Sequence, residues 1–137
     1  MHGATHRFEE SDELRLVIHA DSFGSAVAEA GRALTELVER SPMAPGPGEE
    51  WTDIEVRARD PASLLVEWLN ELIFRAESEG WIAGEIQVAE CSESYLRVRV
   101  RRRSWPSRTF PVKAATLDRA WVESSPGRVL AEVTLDV

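Results

Sequence analysis

Cysteine, histidine and lysine are the scarce residues of this chain. One cysteine, Cys91, occurs in 137 residues, which excludes an internal disulfide and any cysteine-cluster metal site and leaves a reduced thiol on a strand. The three histidines, His2, His6 and His19, are spread over a loose N-terminus and one strand without ligand spacing, so no zinc site is expected. No apolar run reaches the roughly 18 residues of a membrane span, and "MHGATHRFEE" lacks the apolar centre of a signal peptide. The expectation is a cytoplasmic protein without a membrane partner. Positive charge is short too: 16 Lys and Arg face 24 Asp and Glu, a formal net charge of -8. Strong direct binding of nucleic acid is therefore not expected, because phosphate contacts draw on excess cations. A basic protein is the better partner for such a surface. Lys113 is the sole lysine, and its compact ammonium is not interchangeable with a guanidinium. Catalytic signatures are absent as well: there is no phosphate-cradling glycine motif, no HExxH and no Gly-x-Ser-x-Gly elbow.

What is present suits one domain over 1–137 with a real core. Leu14, Leu16 and Ile18 alternate with Arg15, Val17 and His19, the period of a strand with one buried face. Asp21 or Ser22 can cap a helix, and Phe23, Ala26, Val27, Ala30, Ala33, Leu34, Leu37 and Val38 form one apolar stripe along it. "SPMAPGPGEE", 41–50, carries three prolines and two glycines and reads as a loop. Ile54, Val56 and Ala58 alternate in a second strand. The clearest helix follows, with Asp60 as N-cap, Pro61 at its first position, Gly80 as its stop and Trp68 in its apolar stripe.

The remainder alternates as strands: one beginning at Ile86 and Val88, one with Leu96, Val98 and Val100, then 112–116, 120–123 and 129–137, with a hairpin turn at "SSPGR". Two amphipathic helices among many strands predict an α+β domain, with the helices packed on one face of a largely antiparallel sheet or sandwich. "RVRVRRR", Arg97 to Arg103, offers either a basic stripe for RNA or a solvated face paired with acids, and the acidic excess favours the second. Parity makes the sharper statement. Val129, Ala131, Val133, Leu135 and Val137 share one side of the last strand, so Asp136 points away from the core. The same alternation sends Glu13 outward beside Leu14, Leu16 and Ile18, and Lys113 outward between Val112 and Ala114. Glu13, Lys113 and Asp136 are thus allowed on one surface, without being shown to meet.

Three stretches carry a resemblance over nearly the whole chain. "LLVEWLNELIFRAESEGWI" resembles the second helix of the archease family, "VKAATL" its Val-Lys-Ala-x-Thr-Tyr strand, and "VLAEVTLDV" its last strand ending in Asp-Ile. The resemblance implies an accessory protein that assists a GTP-dependent RNA ligase in tRNA splicing and RNA repair by promoting ligase guanylylation. It also implies, as an alternative, a chaperone-like modulator of RNA-modifying enzymes that needs no metal. Carried over, the family's lysine falls on Lys113, its C-terminal aspartate on Asp136 and its terminal hydrophobe on Val137. The family's His-Thr-Ala-Asp motif falls on "ESDE", with Glu10 for the histidine and Glu13 for the aspartate; a one-residue shift selects Asp12 instead. The implied cofactor is a divalent metal held by the two acids with help from the Val137 backbone: calcium, with manganese as the other candidate. Two carboxylates held together repel, and a hard cation relieves that repulsion through oxygen ligands.

Overall fold

A computed structural model of the chain describes residues 3–40, 46–105 and 110–137. His2 and residues 41–45 of the Pro/Gly segment lie outside the described residues. In chain order the elements are β1 (Ala4–Glu10), β2 (Leu14–Ala20), α1 (Phe23–Glu39), β3 (Gly48–Arg57), α2 (Pro61–Glu79), β4 (Trp81–Cys91), β5 (Tyr95–Ser104), β6 (Ala114–Ser125) and β7 (Arg128–Asp136).

The helices start and stop where local chemistry directs. Ser22 is extended and its Oγ accepts a hydrogen bond from the Ser25 N–H at 3.1 Å. Asp60 accepts from the Ser63 N–H at 2.7 Å, Pro61 follows it, and Gly80 ends α2 at φ 75°, a left-handed conformation that costs glycine no Cβ clash. All strand pairs are antiparallel, in one sheet of order β1-β2-β7-β6 and another of order β3-β5-β4. The α+β class is as expected. The helices, however, are shared between the sheets. Helix α1 packs on β1, β2 and β7 of the first and on β4 of the second, and α2 packs on β6 of the first and on β3 and β4 of the second. One buried cluster joins them, with Leu16, Ile18, Val27, Leu64, Leu65, Trp68, Leu69, Leu96, Val98 and Leu135 essentially inaccessible. Among the described residues no helix is long and apolar enough to cross a membrane.

Several boundaries differ from the sequence expectation. The N-terminus is not loose: residues 4–10 form β1, paired along their length with β2. Its alternation is real, with Ala4, His6 and Phe8 sharing a side, but Phe8 is its only large apolar residue, so hydropathy alone does not reveal it. Strand β4 begins at Trp81, five residues before Ile86, and β3 takes in Gly48, Glu49 and Glu50 from the presumed loop. The stretches expected at 112–116 and 120–123 are joined in one strand, β6, which begins only at Ala114, so Val112 and Lys113 precede it, and whose register is broken between Thr116 and Trp121. Val112 is buried as expected, but Ala115, not Ala114, is the next residue to face the core. Val137 does not continue the buried parity of β7. The strand ends at Asp136, and Val137 stands beyond the sheet, 62 % exposed.

The arginine strand is a solvated face. Arg97 pairs with Glu90 at 3.1 Å, Arg99 with Asp53 at 3.4 Å, Arg101 with Glu85 at 3.4 Å and Arg103 with Glu39 at 3.3 Å. Each such exposed pair adds little stability. Together they neutralise the guanidinium groups that an RNA backbone would need.

Candidate functional site

Strand β7 runs between β2 and β6, which is why residues remote in sequence reach one rim. The last β2–β7 pair is Leu14 with Leu135, and the first β6–β7 pair is Ala114 with Asp136. One step past Leu14, the antiparallel register brings Glu13 level with Asp136. On the other side the Lys113 N–H donates to the Asp136 carbonyl at 2.7 Å, so lysine and aspartate are tied through their backbones. Both side chains are exposed. Asp12 lies one residue further into the β1–β2 turn, exposed, and the Ser11 N–H donates to the Glu13 carbonyl at 3.1 Å to close that turn.

Two residues that sequence reasoning left without a role shape this rim. Arg119 occupies the irregular part of β6 with φ 64°, and its guanidinium pairs with the Glu13 carboxylate at 3.3 Å. Asn70 of α2 meets the edge of β6: its Nδ2 donates to the Ala115 carbonyl at 2.9 Å and its Oδ1 accepts from the Ala115 N–H at 2.7 Å. A side-chain amide here replaces the missing neighbour strand and satisfies both backbone groups. The period of α2 puts Asn70 beside Leu69 at the border of the apolar stripe, a faint signal that a polar residue there has a partner. Replacing Asn70 by alanine leaves a donor and an acceptor of Ala115 unpaired at a part-buried site. The expected cost is about 1–3 kcal/mol, concentrated at 113–116, and it is read as faster amide exchange at Ala115 than in the β2–β7 pair.

For a hard divalent cation the donor type at the rim fits: carboxylate oxygens of Glu13 and Asp136 with backbone oxygen near Val137, and no soft ligand. The number is short of the six to eight oxygens calcium takes, and among the described residues no group of three or more His, Cys, Asp or Glu is arranged to hold a metal. An ion would also have to draw Glu13 away from Arg119.

A second charged cluster joins β1 to α1. His6 Nδ1 lies 2.5 Å from a Glu29 oxygen and its Nε2 2.8 Å from a Glu36 oxygen. With a carboxylate on each ring nitrogen, the ring is held as an imidazolium. Burial by itself would lower its pKa, but the hydrogen bonds and charges of Glu36 and Glu29 outweigh it, so the value lies above the ordinary 6.5. Glu29 moves the other way: burial would raise it, while His6 and Arg32 together hold it below its ordinary 4.5. This arrangement excludes His6 as a metal ligand while the clamp is closed, since neither nitrogen has a free lone pair.

A profile of the archease protein family (MTH1598/TM1083) matches residues 8–137. The chain belongs to the archease family. The protein archease of Methanopyrus kandleri (strain AV19) is 30 % identical to it over 137 residues, 94 % of this chain and 96 % of that one. Two solved structures share the fold. Protein 1598 of Methanobacterium thermoautotrophicum aligns at a TM-score of 0.72 with 20 % identity, over 98 % of this chain and 99 % of that one. An archease from Thermotoga maritima, described as a possible chaperone, aligns at 0.66 with 18 % identity, over 97 % and 100 %. In this chain "VKAATL" places Lys113 immediately before β6, and "LDV" places Asp136 at the end of β7. Glu10 ends β1, and Ser11 to Glu13 form the β1–β2 turn.

Proposed function

We propose that this archease acts in the cytoplasm as a non-catalytic protein cofactor of a GTP-dependent RNA ligase, promoting guanylylation of the ligase during RNA-end joining in tRNA splicing and repair. The observation that supports this reading is the adjacency of Lys113 and Asp136 across β6 and β7, tied by the 2.7 Å backbone bond, at the positions of the two family motifs. Lys113 is exposed and makes no ion pair among the described residues, so its ammonium is available to a phosphate oxygen of the nucleotide or of the ligase adduct. Glu13, Asp136 and the Val137 backbone would hold a divalent cation, calcium or manganese, with water or the partner completing the shell. When bound, that cation supplies positive charge to neutralise a phosphoryl oxygen. Asp12 is the substitute for Glu13 if the turn rearranges.

The second reading is a metal-independent, chaperone-like module that binds RNA-processing or RNA-modifying enzymes. It is favoured by the Arg119–Glu13 pair, which already supplies Glu13 with a cation. Two measurements separate the readings. Under the first, Lys113→Ala and Asp136→Ala each lower the stimulated guanylylation rate about ten-fold, the worth of one charged hydrogen bond, and calcium or manganese gives a calorimetric heat that Glu13→Ala abolishes. Unchanged rates in both variants would refute the activator mechanism, and absence of metal heat would leave the second reading.

A further inference from the structure

Arg119 is the one residue other than glycine with a positive φ among the described residues, at 64°. A residue with a Cβ is disfavoured in that left-handed region, and a strained position of this kind is a pointer to function. Its guanidinium donates to the Glu13 carboxylate at 3.3 Å, across 106 positions of sequence. Arg119 lies in the part of β6 between Thr116 and Trp121 where pairing with β7 lapses, and Glu13 immediately precedes β2. Since the sheet order is β1-β2-β7-β6, the pair joins the two flanks of β7. Two strand spacings are roughly 10 Å, a span that calls for a long side chain. The strand between them carries Asp136 at its end. Thr134, two residues earlier and so on the same side of β7 as Asp136, is 9 % exposed, and its buried Oγ1 has no hydrogen-bond partner. Among the described residues Arg119 is the only cation paired with Glu13 or Asp136.

We infer that Arg119 is a built-in competitor of the divalent cation: its guanidinium occupies Glu13 and has to swing away before an ion takes that carboxylate. The inference rests on the metal-using activator reading and adds to it the residue that sets how tightly the ion is held. Guanidinium hydrogens and a hard cation use the same carboxylate lone pairs, and two positive charges on one carboxylate repel each other. The pair is also weak enough to open. Its side chains are 69 % and 39 % exposed, so water screens the attraction and little is lost when it parts. Lys113, tied to Asp136 through the backbone and without an ion pair among the described residues, makes no such claim on a carboxylate. The two cations of the rim therefore differ in role: Arg119 closes the site at Glu13, and Lys113 stays open to phosphate.

The test titrates calcium and manganese into the full chain by calorimetry, without ligase, and measures stimulated guanylylation separately. Arg119→Gly and Arg119→Asn both remove the guanidinium and leave a residue that the left-handed backbone accepts. Each is expected to bind the metal about three-fold more tightly than wild type, the size of one exposed charge pair. Arg15→Gln is the control, since it removes an equal charge from β2 that is paired with Glu9 and Glu132 rather than with Glu13, and its gain should be clearly smaller. Metal heat that appears only in the two Arg119 variants would support the inference most strongly, as a site that wild type keeps closed. Unchanged or weaker affinity in both, or a gain no larger than that of Arg15→Gln, overturns it. So does the absence of heat from every protein with either metal. The activator reading is judged apart from these outcomes, by whether wild type stimulates guanylylation and Lys113→Ala does not.

Discussion

Replacing Trp68 by alanine is expected to lower the unfolding free energy by about 3–5 kcal/mol. The indole is fully buried at the centre of the core, and its Nε1–H donates to the Val27 carbonyl of α1 at 2.9 Å. The side chain therefore does two things: it fills the space where α2 meets α1, and it places its own N–H on a helix carbonyl as a second hydrogen bond. Alanine creates a large cavity and removes that bond. Collapse cannot repair it cheaply, because the helices already approach closely at Gly31. A Cβ added there would stand 2.5 Å from Ile86 Cδ1 and 3.2 Å from Trp68 Cζ2. Against a total stability of about 5–15 kcal/mol for a domain, the loss is a major fraction. Urea unfolding should show a much lower midpoint with little change in slope, and Trp68→Phe, which keeps most of the volume and loses the hydrogen bond, should cost less.

Breaking the His6 clamp is expected to cost about 2–3 kcal/mol near pH 6. The Glu29 side is well buried and the Glu36 side is more exposed and screened, so most of the effect belongs to Glu29. Arg32 bonds Glu29 at 2.7 Å, and Arg40 reaches Glu36 at 3.4 Å and stacks over Phe8. His6→Ala leaves these partners in place but removes the cation between the two carboxylates. The pH dependence has a definite sign. The folded protein holds the His6 proton more tightly than the unfolded chain, so this contribution is complete below the ordinary 6.5 and is lost as pH rises through the raised folded value. Glu29, lowered in the fold, contributes fully above its ordinary 4.5 and is lost as pH falls through its folded value. The clamp is therefore strongest in the mildly acidic window between them. Denaturant melts at about pH 6 and about pH 8.5 should show wild type losing stability on the alkaline side and His6→Ala losing much less. An equal drop in both proteins would refute the assignment. The loosened element should be β1, an edge strand, while β7 stays protected.

Much of this architecture is legible in the residues alone. Asp60 followed by Pro61, and Gly80 nineteen residues after Pro61, delimit α2 because caps act on their own backbone neighbours. Alternation in β2, β5 and β7 reveals their buried faces because a strand's two sides differ in polarity by every second residue. Strand β1 is not legible in that way. Its inward side mixes Ala4, His6 and Phe8, and His6 is made tolerable there by two glutamates 23 and 30 positions away. The irregular part of β6 escapes for a related reason. Register between Thr116 and Trp121 is broken without a glycine or proline that local rules would flag.

For the site, alternation within β7 by itself put Asp136 away from the core, since period-two geometry is a property of each strand separately, but Glu13 and Lys113 precede β2 and β6, and Val112 and Ala115 do not alternate around Lys113. That β7 lies between β2 and β6, setting Asp136 beside Lys113 and level with Glu13, was decided only by the tertiary structure. Strand order depends on which buried faces fit one another across the core and the shared helices, and no local pattern encodes it. The same holds for Asn70 on Ala115, where a helix distant in sequence supplies the hydrogen bonds that the edge of β6 lacks.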